Sequence, residues 1–139
     1  MVENKKGFTL IEIIAVIVIM GIILLVVSIP VSKYIENSKI KTYQSHERNL
    51  EVATKNYMID CISDNKEGCT IPSNGNHYVI SYDMLIENGY SNELEDPESD
   101  GYCNKSYVIV ENNSSGVVNL EYKVCLICEE YETDETWCN

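Results

Sequence analysis

The chain has 139 residues, a formal net charge of −12 at neutral pH and six cysteines. Once a membrane segment is subtracted, this length holds one small globular domain, and the acidic balance disfavours a broad nucleic-acid-binding face, because an acidic surface repels phosphate backbones. No Ser/His/Asp set, glycine-rich phosphate loop or pair of catalytic carboxylates emerges, and neither His46 nor His77 stands beside a nucleophile, which argues against an enzyme.

The amino terminus is the most constrained stretch. Lys5 and Lys6 precede Gly7, and from Phe8 to Val31 the side chains are almost all apolar, with one full charge, Glu12. Roughly 20 such residues span a bilayer, so a membrane helix is predicted over 8–31, with the two lysines on the cytoplasmic side. A secretory signal is cut after its apolar core at small residues, whereas here the small residue, Gly7, comes before the core. Cleavage after Ser28 is the competing reading, opposed by Pro30 just beyond that bond and by the charge inside the core. A charged Glu12 in the bilayer costs about 2.5–3.5 kcal/mol, so it needs a partner. In a plain anchor it would instead seek the membrane boundary.

The run Lys5-Lys6-Gly7-Phe8-Thr9-Leu10-Ile11-Glu12 resembles the class III signal of type IV prepilins and pseudopilins. The resemblance implies cleavage between Gly7 and Phe8 by a membrane-embedded prepilin peptidase, with N-methylation of Phe8. It implies that Glu12, fifth in the mature chain, pairs with the Phe8 amine of a neighbouring subunit during filament assembly. The partners implied are copies of the chain, related pilins and an assembly platform in the inner membrane with its ATPase. The chain would then be a single-pass membrane protein before assembly and part of an extracellular filament after it. The fold implied is α+β and type IV pilin-like, a long amino-terminal helix packed on a small antiparallel sheet. In resembling pilins the helix between a glycine and a proline such as Gly21 and Pro30 can lose helicity on packing. Pro30 in any case removes a helix hydrogen bond.

Past Pro30 the pattern turns amphipathic. Ile35, Tyr43, His46, Leu50, Ala53 and Tyr57 share one face, while Lys39, Lys41, Glu47, Glu51 and Lys55 fall largely elsewhere. If continuous, a helix from Phe8 to Asp60 is about 80 Å long at 1.5 Å per residue. The expected organisation is a leader over 1–7, a membrane or filament-core helix over 8–31, an amphipathic helix over 32–60 and a cysteine-rich sheet domain over 61–139. His46 reads as a packed, hydrogen-bonded residue of the apolar face.

All six cysteines lie beyond residue 60, which fits an oxidising compartment outside the membrane. Cys61 and Cys69 bracket a polar loop and are expected to pair locally. His77–Ile80 reads as a strand, and Asp83–Gly89 as one or two helical turns ended by a glycine cap. Residues 106–110 and 117–124 flank a run of turn formers and read as a hairpin. Setting Val110 opposite Val118 brings Cys103 opposite Cys125, leaving Cys128 for Cys138. Six cysteines allow 15 connectivities, so this pairing is a preference among them. Cys125-Leu-Ile-Cys128 invites a redox or zinc reading, but it continues a strand where a thioredoxin-type motif opens a helix, and zinc lacks a second pair at similar spacing.

The stretch Tyr82–Tyr102 resembles, more loosely, the region of Gram-positive pilins and competence pseudopilins where a short helix leads to an Asp-Pro turn. Some pseudopilins bind calcium in a loop there, and Asp96 and Asp100 would be the matching ligands. A solvated acidic turn is the plainer reading. The expected function is that of a filament subunit for adhesion, motility, secretion or DNA uptake. The competing reading is a signal-anchored, disulfide-stabilised extracellular domain that binds a ligand as a monomer.

Overall fold

The computed structural model describes residues 7–64, 69–114 and 116–138. Its elements are α1 (Leu10–Asp64), β1 (His77–Ser81), α2 (Tyr82–Glu87), β2 (Tyr107–Asn112) and β3 (Leu120–Cys125). The architecture is α+β: a long amino-terminal helix followed by a small antiparallel sheet. The chain divides into two compact units, Met1–Ser38 and Lys39–Asn139.

In the first unit, α1 starts at Leu10 and runs unbroken through Gly21 and Pro30. Isoleucine and valine are modest helix formers in water. In lipid the helix wins because it alone satisfies its own backbone within a single segment. The leader up to residue 6, with Lys5 and Lys6, lies outside the described residues, as do residues 65–68 of the Cys61–Cys69 loop.

The second unit holds the core. Tyr43, Leu50, Ala53, Thr54, Tyr57, Met58 and Cys61 of α1 are buried, at spacings of one, three, four and seven that keep them on one stripe. The strands supply Ile80, Val108 and Val110, and Tyr82, Leu85, Leu94 and Leu126 close the cluster. Ile35, in the first unit, is half exposed. The sheet order is β1-β2-β3, with Ile80 opposite Val108 and Tyr78 opposite Val110. α2 forms where Ser81 caps it, its hydroxyl accepting from Met84 N at 3.3 Å. Gly89, at φ +75°, turns the chain out of it, a conformation that costs glycine little.

The hairpin differs from its expected register. Val110 lies opposite Tyr122, not Val118, and Cys125 lies opposite Tyr107. Glu111 and Asn112, expected in the turn, extend β2, while Val117 and Val118 sit in the connection at 87% and 51% exposure. Asn112 is held there by tertiary contacts: its Nδ2 donates to Pro72 O at 3.0 Å, and its Oδ1 accepts from Ser114 N. The slip is by an even number of residues, so every side chain keeps its face, but the cross-strand partners change.

That slip corrects two disulfides. Cys103 and Cys128 are joined, as are Cys125 and Cys138, in place of Cys103–Cys125 and Cys128–Cys138. With Cys125 carried past Tyr107, Cys103 no longer has it across the hairpin. A second tight turn, closed by Cys128 N to Tyr131 O at 2.8 Å and Thr133 N to Leu126 O at 3.0 Å, folds the tail back. Cys61 and Cys69 are joined, with Cα atoms 5.7 Å apart.

Candidate functional site

The amino-terminal segment supplies the first candidate site. Gly7, Phe8 and Thr9 are outside the helix, and the Thr9 carbonyl accepts from Glu12 N at 3.1 Å and Ile13 N at 3.3 Å. Thr9 is therefore the residue from which α1 starts, and the Gly7–Phe8 bond lies in chain not yet committed to helical hydrogen bonds. Phe8 is 78% exposed. A Cβ added at Gly7 would meet nothing within 4 Å, and Gly7 does not occupy the left-handed region. Nothing within the described chain requires glycine here, so a requirement for a small residue has to come from outside it.

Glu12 falls in the first turn of α1, where the partial positive charge of a helix amino terminus favours a carboxylate. Among the described residues it has no ion-pair partner. The helix that carries it contains an 18-residue window of mean hydropathy 3.3, none of it buried. A helix apolar on every side cannot rest in water and needs lipid or other apolar helices around it.

The acidic turn makes the second candidate, and here the geometry points inward. Asp96 is 3% exposed. One carboxylate oxygen accepts from Tyr43 Oη at 2.7 Å and from Glu98 N at 2.9 Å, and the other accepts from Glu130 N at 2.9 Å. Burial disfavours its charge, yet the hydrogen bonds from Tyr43, Glu98 and Glu130 outweigh it and lower its pKa to about 2. The same burial, with Asp96 and Glu98 beside it, pushes the Tyr43 phenol well above its usual range. Asp100 is exposed, and no group of three or more His, Cys, Asp and Glu suited to a metal ion occurs among the described residues.

The remaining sequence candidates resolve into structure. His46 Nε2 lies 2.9 Å from Glu95 O, and Nδ1 is buried without a partner among the described residues. Cys125 and Cys128 belong to different disulfides and neither is free. Sequence reasoning missed the bolt from Tyr43 to Asp96, the stack of Tyr43 on Tyr131 at 4.0 Å and the bond from Thr133 Oγ1 to Glu47 at 2.8 Å. These contacts join residues 53 to 88 positions apart, and no local pattern announces them.

Residues 3–28 match the family model described as the prokaryotic N-terminal methylation motif, which is the class III signal of type IV pilins. No curated protein and no solved structure matches the chain.

Proposed function

We propose that this chain, which carries the class III signal of type IV pilins, is a structural subunit cut between Gly7 and Phe8, methylated on the Phe8 amine and polymerised into a type IV pilus or related filament. Its partners on this reading are prepilin peptidase, copies of itself and related pilins, and the membrane assembly platform with its ATPase. The membrane holds it before assembly, and the filament carries it outside the cell afterwards.

The observation that carries the reading is the junction at Gly7–Leu10. An accessible bond outside the helix is followed, within one turn, by Glu12, in a helix whose most apolar window is wholly unburied. Cutting that bond creates a new amine at Phe8. The amine of one subunit and Glu12 of the next neutralise each other, which removes the cost of either charge alone in an apolar core. Assembly is the activity, and no cleft chemistry is needed. Asp96 serves as an internal bolt on this reading, in place of a calcium ligand.

Intact mass and amino-terminal mapping of protein from a sheared surface fraction test this. The expected chain starts at N-methyl-Phe8 and lacks the protons lost in three disulfides. A chain starting at Met1 would favour the anchored monomer, and one starting near Ile29 a secreted domain. Gly7→Val should accumulate full-length precursor, and Glu12→Leu should be processed but not assembled. Normal filament yield from either variant would sink the proposal.

A further inference from the structure

We propose that the outer edge of β3 takes up an extended, positively charged peptide segment of a partner protein by strand addition. The argument starts from which backbone groups the sheet leaves unused. Asn113 N–H donates to Asn119 O across the hairpin, so the directly opposed pairs that exchange ladder bonds are those at the odd positions of β2, including Ile109/Lys123 and Glu111/Glu121. Asn112 N–H donates to Asn76 O and Tyr82 N–H to Ser106 O, which assigns the even positions of β2 to β1. The two strand pairings agree. The N–H and C=O of Tyr122 and the N–H of Val124 therefore point away from the sheet, and no bond to them occurs among the described residues.

That edge opens into a groove of about 650 Å³ bounded by α1 and the carboxy-terminal tail. Tyr122, Lys123 and Val124 all line it. Consecutive strand residues point to opposite faces, so a groove that meets all three follows the edge of the strand. The tail takes this edge only at its end, where Cys138 Sγ meets Val124 O at 3.8 Å and Thr133 pairs with Leu126, and the unpaired stretch before it is a template for another strand.

Charge selects the occupant. Of the charged side chains that line the groove, Glu51 is engaged by Lys55 at 2.5 Å and Lys123 by Glu111 at 2.7 Å, and neither partner belongs to the lining. Glu47, Asp134 and Glu135 then stand against Arg48 alone. Glu47 accepts from Tyr131 and Thr133, neutral donors that leave its charge in place. The excess is negative and favours lysine or arginine in the incoming strand. A second copy joined through its other sheet edge, His77–Ser81, is a poor match, because that strand contains neither. The inference does not depend on cleavage or on filament assembly.

Trp137, the one tryptophan, lines the groove at 38% exposure and reports on its occupancy. The test titrates the full chain, in non-ionic detergent, with acetyl-Lys-Val-Lys-Val-Lys-amide while following Trp137 fluorescence. The expected result is a saturable change, weakened about tenfold when alternate peptide amides are N-methylated, since that deletes strand donors and keeps the charge. The variant D134K/E135K should weaken binding by about the same factor. No saturable change, equal binding of the N-methylated peptide, or equal binding of the glutamate counterpart would overturn the proposal. So would dissociation of a pre-existing oligomer by D134K/E135K without peptide, which would give the groove to a second copy. If that variant misfolds by circular dichroism, the N-methylated comparison on the unaltered chain still decides.

Discussion

Asp96 shows how one residue can look like a ligand in sequence and act as a fastener in the fold. Its two oxygens hold α1 through Tyr43, its own turn through Glu98 N and the tail through Glu130 N. Asp96→Asn places an amide against donors it cannot accept from equally, and the penalty for unsatisfied buried groups is about 1–3 kcal/mol. Chemical denaturation of the two proteins should show a loss of that size. The carboxyl is depressed from 3.8 to about 2, so the folded state favours its ionised form. Its contribution is complete above the unfolded value and is lost as pH falls through the folded one. Stability should therefore drop between about pH 4 and pH 2, and the Asn variant should lack that part of the drop. Calcium or a chelator should leave the melting temperature unchanged, because both oxygens of Asp96 are buried and already accept from Tyr43, Glu98 N and Glu130 N. A calcium-dependent rise abolished by Asp96→Asn would reverse this assignment.

The hairpin of β2 and β3 carries the main lesson at the level of elements. Alternation of apolar residues settles which face each side chain takes, and here it holds, with Val108 and Val110 buried. Alternation repeats every two residues, so it does not distinguish registers that differ by an even slip. The choice fell to the connection, where Asn112 found Pro72 O and stayed in the strand. The disulfides follow from that choice. Non-reducing peptide mapping should recover Cys103 linked to Cys128 and Cys125 linked to Cys138. Cys103→Ser should leave the Cys128 thiol open to alkylation, whereas labelling at Cys125 would restore the pairing expected from sequence. α2 is the opposite case: its serine cap and left-handed glycine are local signals, and it was legible as a short helix ended at Gly89.

For the whole molecule, the disulfides stabilise a domain whose core is a few residues from each element. A native disulfide in such a domain contributes about 2–5 kcal/mol, so reduction should lower the denaturation midpoint sharply, while the apolar helix still partitions with membranes. Loss of membrane partitioning on reduction would contradict the independence of these two properties. The sequence by itself determined the amino-terminal signal, the apolar helix, the amphipathic stripe through Leu50 and Tyr57 and the confinement of the cysteines to the chain beyond residue 60. Each is written in neighbouring residues or in a short period, so physical chemistry reads it without knowing the fold. Only the tertiary structure decided the hairpin register, the partners of Cys103 and Cys125, the inward use of Asp96 and the open edge of β3. Those depend on which distant groups meet, and on whether a polar atom finds its partner in the chain before it finds one in solvent.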